Sequence, residues 1–288
     1  MAGRICPWCR KLNASGDSRC GSCERWIPPE IVSGLVRELS ATELWATKGL
    51  AILSLLVFGL EVAMAKGEML LMGAPHSTLV RFGAFSVELG AFEPWRLLSA
   101  CFVHIGYAHV VFNVLATADF GRSVEEEVKG VRTLLGFVLS GVAGFAASWL
   151  WYADTPYVLT AGGSGGIFGL IGMFGGRLAS RREVGWKAVM LRQVGYSFVF
   201  FFVFGTNQVA HLVGLATGFA LGWLFEREHR QMLRQGLFGI VAAILVAASV
   251  GSVVASYLSP AWEPYREAER RAADEAAGWE YEDVPYED

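Results

Sequence analysis

The stretch from Ala161 to Gly176 reads AGGSGGIFGLIGMFGG and carries no charged residue. The glycines before Ser164 favour irregular backbone, and the apolar residues after it predict a helix from Ser164 to about Ser180. At 1.5 Å per residue this helix is roughly 25 Å long, shorter than a hydrocarbon core of about 30 Å. Irregular backbone at membrane depth is tolerated where it lines a cavity or is buried in protein. Ser164 is therefore expected below one membrane surface, at a helix N-terminus on the floor of a cavity.

Uncharged stretches of similar length lie on both sides of this segment, and the whole chain is apolar. Of its 288 residues, 53% are hydrophobic and 18% are charged, whereas soluble domains are about a quarter charged. This composition argues against a soluble enzyme or a disordered chain, and the net charge of -3 gives no reason to expect nucleic acid as a partner. Since about 20 apolar residues cross a bilayer, we predict an all-α polytopic membrane protein with seven spans. They are residues 46–65, 97–118, 133–153, 155–176, two spans within 193–225 that are separated by a turn at 205–208, and 235–262.

The basic residues of the loops predict how the spans are oriented. Lys and Arg are frequent before the first span and in the second-to-third, fourth-to-fifth and sixth-to-seventh loops, and the third-to-fourth and fifth-to-sixth loops have none. This alternation follows the positive-inside rule and places the N-terminus in the cytoplasm and the C-terminus outside. The long first-to-second loop, with Lys66, Arg81 and Arg96, is the exception. Residues 260–288 are acidic and are expected to be a solvated, partly disordered tail.

Four of the five cysteines form two CxxC pairs near the N-terminus. Cys6 and Cys9 make the first pair, and Cys20 and Cys23 make the second. Two such pairs in a short polar segment suit a four-thiolate zinc site, and a metal would replace the core that some thirty residues cannot build. A thioredoxin-like redox pair is the alternative, but no βαβ pattern surrounds it. We therefore predict a structural zinc ribbon at residues 1–30. Cys101 lies in a predicted span and is interpreted as a small packing residue.

Polar residues inside apolar spans are costly and are functional candidates. The predicted second span carries His104, His109 and Asn113, and the predicted sixth span begins just before His211. A serine and a neutral histidine at one depth make a nucleophile and base pair. His109 and Asn113 are four residues apart and therefore lie on one helix face. Their side chains have donors for an oxyanion. In the sixth span, Gly214 and Gly218 are spaced to let that helix approach another closely, and packing against the glycines of residues 162–172 would bring His211 to Ser164.

Taken together, these motifs resemble the rhomboid family of intramembrane serine proteases over residues 46 to 226. The resemblance is carried by Trp95-Arg96, His104-x4-His109-x3-Asn113, Gly121-x3-Glu125, Gly162-Gly163-Ser164-Gly165 and Ala210-His211-x2-Gly214-x3-Gly218. It implies a six-helix core with a catalytic Ser-His dyad and no Asp.

The resemblance also implies a role for each residue of these motifs. Ser164 would be the nucleophile and His211 the general base and acid. His109, Asn113 and the backbone around Gly163 and Ser164 would form the oxyanion hole. The structural residues would be Trp95 and Arg96, which hold the first loop against the bundle, His104 near that loop, Glu125 after the second helix, and Gly214 and Gly218 at the helix contact. Phe168 stands where many rhomboids have Tyr, and its ring is still expected to pack on His211.

The predicted organisation has five parts. They are a cytosolic zinc ribbon at 1–30, a linker at 31–45, a rhomboid-like six-helix core at 46–226, a seventh transmembrane helix at 227–259 and the acidic tail at 260–288. We expect a prokaryotic cell (inner) membrane location, transmembrane protein substrates, a cytosolic protein partner for the ribbon, and no cofactor for catalysis besides the structural Zn.

The function that this pattern favours is an intramembrane serine endopeptidase. Two other functions are compatible with parts of the pattern. The first is a rhomboid-like protein that binds transmembrane clients without cutting them, although members of that kind usually lack the Ser or the His. The second is a transporter or channel that uses the broken fourth helix as a binding site, but no acidic residue lies among the inner polar groups to hold a cation.

Overall fold

The computed structural model describes residues 4–6, 9, 11–14, 16–27, 43–71, 73–155, 158–229 and 235–277. Most of the predicted linker at 31–45 and the end of the predicted tail, 278–288, lie outside the described residues. Near the N-terminus, strand β1 (Arg4–Ile5) pairs antiparallel with β2 (Leu12–Asn13). All the other regular elements of the described residues are helical.

Seven of the helices are long. They are α1 (Trp45–Met64), α5 (Tyr107–Val128), α6 (Gly130–Trp151), α7 (Ser164–Ser180), α8 (Trp186–Phe204), α9 (Gln208–His229) and α10 (Gln235–Leu258). Three short helices, α2 (His76–Phe82), α3 (Val87–Phe92) and α4 (Arg96–Ser99), form the connection between α1 and α5. After α10, a 3-10 turn (Pro260–Trp262) leads into α11 (Glu263–Ala276).

Helix α7 is the central helix of the bundle, because most of its residues are buried on every side. Its closest neighbour is α9, and the two helices meet through glycines. A Cβ on Gly214 or Gly218 would overlap the carbonyl oxygen of Gly165 or Gly169, respectively. The same holds in the other direction, since a Cβ on Gly172 would overlap the Leu215 carbonyl oxygen. The backbones of α7 and α9 are therefore in direct contact, as the Gly-x3-Gly spacing predicts.

Buried charges join three helices at the C-terminal end of α7. Arg177 is almost fully buried and donates to Glu127 of α5 at 2.6 Å and to Glu226 of α9 at 3.1 Å. Arg181, one turn later, donates to Glu226 at 2.8 Å. A buried guanidinium of this kind is tolerated because its donors are satisfied by carboxylates. This network fixes the end of the bundle that lies farthest from Ser164.

The connection between α1 and α5 is packed around one arginine. Arg96 is fully buried, and its Nη1 donates to the carbonyls of Val80 at 2.6 Å and Ala84 at 3.2 Å. Its Nη2 forms an ion pair with Glu93 at 2.5 Å. Trp95 next to it is exposed. Arg96 thus joins the end of α2 to the start of α4.

The end of the chain packs on the same connection. The N–H of Ser77, in α2, donates to Glu269 of α11 at 3.0 Å, and the Ser259 hydroxyl donates to Glu93. Arg81 lies between the rings of Tyr257 and Trp262, 4.5 Å from each centroid. The prediction of a partly disordered tail is therefore wrong for residues 260–276, which are helical and anchored to α2.

The predicted spans agree with the helices at some boundaries and not at others. Helix α7 begins and ends as predicted, and residues 205–207 form the turn before α9. The predicted second span at 97–118 is wrong, because residues 100–106 leave α4 as irregular backbone and the long helix runs from Tyr107 to Val128. Helix α8 begins at Trp186, seven residues before the predicted start at 193.

By length and composition, four helices of the described residues could cross a membrane: α1, α6, residues 208–227 of α9 and residues 240–258 of α10. The central helix α7 has only 17 residues, and α5 carries acidic residues in its last two turns. The count of seven spans therefore stays a prediction.

The helix contact between α7 and α9 gives the first testable prediction. Gly218→Ala places a methyl group on the Gly169 carbonyl oxygen, so the two helices must separate. We expect the free energy of unfolding in detergent micelles to fall by about 1–3 kcal/mol, the usual cost of overpacking. Gly59→Ala on α1 is the matched control, since a Cβ there meets nothing within 4 Å. Equal stability of the two variants would contradict the role of this contact.

Candidate active site

Ser164 and His211 lie together at the start of their helices. Ser164 is the first residue of α7, and His211 is the fourth residue of α9. The Ser164 Oγ lies 2.8 Å from the His211 Nε2, within hydrogen-bond distance. His211 is almost fully buried, at 2% exposure. The structure therefore brings together the two residues that the sequence pairs as nucleophile and base, in the geometry that such a pair requires.

The ring of His211 is held on its face by an aromatic residue of α7. The rings of Phe168 and His211 are stacked, with centroids 4.5 Å apart and an interplanar angle of 19°. Because Phe168 lies one turn after Ser164, the same helix supplies both the hydroxyl and the surface that orients the imidazole. The packing expected of Phe168 is present without a phenolic hydroxyl.

The start of α9 is fixed by Asn207. Its Oδ1 accepts the N–H of Ala210 at 3.0 Å, which is the hydrogen bond of an N-cap residue. The same Oδ1 accepts the hydroxyl of Ser148 in α6 at 3.1 Å, and the Nδ2 donates to Thr160 at 3.2 Å. Asn207 thus connects α9 to α6 and to the segment before α7, one turn away from His211.

His109 faces the segment before Ser164 in a defined tautomer. The N–H of Ile105 donates to the His109 Nδ1 at 3.2 Å, so a neutral ring carries its proton on Nε2. A Cβ on Gly162 would lie 2.6 Å from that Nε2, and Gly162 has a φ of +125° that favours glycine. The Nε2–H of His109 is therefore available as a donor beside the backbone that leads to Ser164.

Asn113 and the start of α7 lie next to this donor. The Nδ2 of Asn113 donates to the backbone carbonyl of His109 at 2.9 Å, which uses one of its two hydrogens. Its Oδ1 would lie 3.5 Å from a Cβ on Gly163. The first helical hydrogen bond of α7 runs from the Ile167 N–H to the Gly163 carbonyl at 2.9 Å. The N–H groups of residues 164–166 come before it and point out of the helix end.

A cavity of about 530 Å³ opens in front of these residues. Ser164, His211, His109 and Asn113 all line it. The rest of its wall is largely apolar and aromatic and includes Phe112, Phe120, Phe145, Ile171 and Tyr196. The predicted placement of Ser164 on the floor of a cavity therefore agrees with the structure, and the cavity can hold an apolar chain segment next to the hydroxyl.

Two further predicted residues have structural contacts. His104 lies in the loop before α5, fully buried, and its Nδ1 is 3.0 Å from the Phe102 carbonyl. Glu125 lies in the last turn of α5, not after it as expected. Its carboxylate accepts the N–H groups of Ala46 at 3.0 Å and Thr47 at 2.8 Å. Glu125 therefore caps the N-terminus of α1, where a negative charge is favourable.

The four N-terminal cysteines cluster as a metal site requires. Their sulfur atoms all lie within 4.8 Å of one another, with Cys6 and Cys23 at 3.7 Å and Cys9 and Cys20 at 3.5 Å. Zn–S bonds of about 2.3 Å in a tetrahedron place the sulfurs about 3.8 Å apart. The donor set and its spacing therefore fit zinc. The Ser22 N–H donates to the Cys20 sulfur and lowers the pKa of this thiol to about 6, which favours the thiolate.

The residues that support His211 are not among those that the sequence motifs predict for the site. Ser197 lies on α8, and its Oγ is 3.4 Å from the His211 Nδ1. It donates to the Oε1 of Gln208 at 2.8 Å. A single serine in an apolar helix gives no sequence signal. Asn207 belongs to the predicted turn, and it has one further signal, since Asn directly before an apolar helix is a typical N-cap.

The chain is similar to proteins of one family over the region that carries this site. The model of the Rhomboid domain family matches residues 91–228. The rhomboid protease GluP of Bacillus subtilis is 33% identical over 192 residues, which cover 64% of this chain and 36% of that protein. YdcA of the same strain, also named as a rhomboid protease, is 30% identical over 137 residues, 46% of this chain and 67% of YdcA. RHOMBOID-like protein 4 of Arabidopsis thaliana is 27% identical over 205 residues, 62% of this chain and 50% of that protein.

The chain belongs to the rhomboid family, as the motifs around Ser164 and His211 predict. It is an integral membrane protein, since this family match coincides with apolar helices of spanning length. It spans between about a third and a half of the length of the first curated relatives that it matches.

The N-cap at the start of α9 gives the second prediction. Asn207→Ala removes the acceptor of the Ala210 N–H and leaves the hydroxyls of Ser148 and Thr160 without this partner. We expect a loss of about 0.5–2 kcal/mol in the free energy of unfolding, measured by denaturant titration in micelles. Asn207→Asp retains the capping oxygen and should lose less than Asn207→Ala. An Asn207→Ala variant as stable as the wild type would contradict the capping role.

Proposed function

We propose that the chain is an intramembrane serine endopeptidase that cleaves the transmembrane segments of other membrane proteins. The observation that carries this proposal is the hydrogen bond of 2.8 Å between Ser164 Oγ and His211 Nε2, at the floor of a cavity whose wall is largely apolar. Membership of the rhomboid family and the relatives named as proteases support it.

Catalysis in this proposal begins at Ser164. Its Oγ attacks the carbonyl carbon of the scissile peptide bond, and the His211 Nε2 takes the hydroxyl proton. His211 then returns this proton to the leaving amine as the C–N bond breaks, which leaves an acyl ester on Ser164. A water molecule, activated by the same imidazole, hydrolyses the ester and restores both side chains.

The negative charge of the tetrahedral intermediate needs donors close to Ser164. In this proposal the donors are the Nε2–H of His109, the second N–H of the Asn113 amide and the backbone N–H groups at the start of α7. The support is that His109, Asn113 and Ser164 line the same cavity. Their dipoles are fixed before the reaction, and α7 adds the positive end of its helix dipole. One donor of this kind is typically worth roughly 10²–10³ in rate.

The cavity favours an apolar and locally extended substrate. Phe112, Phe120 and Tyr196 give the cavity wall an apolar character. A peptide bond inside a substrate helix is shielded from attack by the neighbouring turns of that helix. A transmembrane segment must therefore unwind near the bond that is cut, so small or helix-breaking residues are expected there.

In the bilayer, we propose six core spans, α1 and α5 to α9, and a seventh, α10. The basic loops support an orientation with the N-terminus in the cytoplasm and the C-terminus outside. Ser164, His211 and His109 lie within the first residues of α7, α9 and α5, at the helix ends that face outside in this orientation. The site would thus receive water and substrate from the outer half of a prokaryotic cell membrane.

The third prediction concerns the dyad. Cleavage of a generic transmembrane substrate in liposomes should be abolished by Ser164→Ala and by His211→Ala, since each removes one partner of the proton transfer. Ser123→Ala is the matched control, because this exposed serine donates only to its own helix at the Asp119 carbonyl. Its cleavage rate should equal that of the wild type. Cleavage that persists in Ser164→Ala would contradict the nucleophile, and folded wild type that cuts no substrate would favour client binding instead.

The N-terminal ribbon has a structural role in this proposal. Cys6, Cys9, Cys20 and Cys23 would hold one zinc ion, and among the described residues of the ribbon their buried cluster includes one further side chain, Ile27. A metal would supply folding free energy that so small a core lacks. A cytosolic protein partner is the expected ligand of the folded ribbon.

The fourth prediction is the metal content. The purified full chain should contain one zinc per molecule by elemental analysis, and the Cys6→Ser/Cys9→Ser double variant should contain less than a tenth of this amount. Cys101→Ser is the control, because Cys101 is buried among the helices and should leave the zinc content unchanged. Because the proposed mechanism uses no metal ion, cleavage in micelles should persist when zinc is removed. Full zinc binding by the double variant would contradict the four-thiolate site.

A further inference from the structure

His211 has a second partner besides Ser164, on a helix that carries neither member of the dyad. The Nδ1 of His211 lies 3.4 Å from the Oγ of Ser197, on α8. The same hydroxyl donates to the Oε1 of Gln208, the first residue of α9, at 2.8 Å. Ser197 is fully buried. The three side chains therefore form a chain of contacts that crosses from α9 to α8 and returns to α9.

The direction of the Ser197 hydroxyl differs from that of two buried serines of α10, Ser249 and Ser256. Ser249 and Ser256 donate to the carbonyl four residues earlier in their own helix, at 2.8 and 2.9 Å. This is the usual arrangement for a serine in an apolar helix. Ser197 instead directs its hydrogen to the Gln208 side chain of the next helix, which leaves its oxygen lone pairs facing the imidazole.

This direction decides the tautomer of His211. A hydroxyl has one hydrogen, and Ser197 gives it to Gln208, so toward the Nδ1 of His211 it can act only as an acceptor. The favourable partner for that acceptor is an Nδ1–H. In the neutral ring the proton is then on Nδ1, and the Nε2 keeps the lone pair that accepts the Ser164 hydroxyl. The opposite tautomer would place two lone pairs against each other at Nδ1.

We propose that Ser197 and Gln208 are positioning residues that hold His211 in the Nδ1–H tautomer through a neutral hydrogen-bonded relay. The kinetic part of this inference rests on the proposed function. The relay occupies the place that a carboxylate has in a Ser-His-Asp triad, where the third residue fixes the tautomer and the orientation of the ring. A neutral relay suits a buried apolar site, because an ionised carboxylate there is costly.

The length of the Ser197 to His211 contact is consistent with this role. At 3.4 Å it is longer than the usual range for a hydrogen bond. Hydrogen bonds to a catalytic base are often long in the free enzyme and tighten when the base takes up a proton. The Ser197 oxygen, polarised by Gln208, would then stabilise the imidazolium more than the neutral ring, which lowers the barrier of the attack.

A spectroscopic experiment tests the relay without relying on activity. The full chain is labelled with ¹⁵N-histidine in micelles, and the His211 signals are identified by their absence from a His211→Ala sample. Wild type should show a protonated Nδ1 and an unprotonated Nε2. Ser197→Ala and Gln208→Leu should show a mixture of both tautomers, and Ser249→Ala should match the wild type. A wild-type ring with its proton on Nε2, or an unchanged ring in Ser197→Ala, would overturn the proposal.

Kinetics separates positioning from a purely structural role. Ser197→Ala should lower kcat roughly fivefold, as the loss of one neutral hydrogen bond does, with KM unchanged, and Ser197→Thr should restore kcat because it keeps the hydroxyl. The Ser197→Ala/Gln208→Leu double variant should lose no more than Ser197→Ala, since both act through one chain of contacts. Additive losses, or wild-type kcat in Ser197→Ala, would contradict the relay. A wild type that has the stated tautomer but cleaves nothing would contradict the proteolytic function and leave the relay standing.

Discussion

The direct backbone contact between α7 and α9 is the constraint on which the rest of the site depends. Side chains normally keep the axes of packed helices 8–10 Å apart. At this contact both helices have glycines, which have no side chain to separate the backbones. Gly165 and Gly169 of α7 face Gly214 and Gly218 of α9. The first pair lies next to Ser164 and one turn after His211, so the separation of the helices sets the distance between the Ser164 Oγ and the His211 Nε2. The spacing of the glycines therefore determines the geometry of the Ser164–His211 pair.

Three polar side chains of the bundle have partners that are far away in the sequence, and these contacts fix helix ends. Glu125 caps α1, Asn207 joins α9 to α6, and Arg177 joins α7 to acidic residues of α5 and α9. In an apolar interior an unpaired polar group is costly, so each of these contacts resists displacement of its helix. Helix α7 is therefore held at both ends. Glycine contacts with α9 hold it near Ser164, and the network of Arg177 holds its C-terminal end.

Much of this arrangement can be predicted from the sequence, because it depends on local rules. The glycines before Ser164 and the apolar run after it define α7, and Gly214 and Gly218 indicate the close contact. The structure differs where distant partners override composition. The span predicted at 97–118 ends where charged residues begin. In the structure α5 continues to Val128, because its acidic residues bind the N-terminus of α1 and the Arg177 side chain. Ser197 has no local signature, and only the packing of α8 against α9 reveals its contact with His211.

The most direct test of this account is the site of covalent labelling by a fluorophosphonate. Such a probe reacts with a serine whose hydroxyl is activated by a neighbouring base. The purified full chain is labelled in micelles, and the modified peptide is identified by mass spectrometry in wild type and in His211→Ala. The account predicts one adduct, on Ser164, that is lost in His211→Ala. An adduct on another serine, or equal labelling of Ser164 without His211, would contradict it.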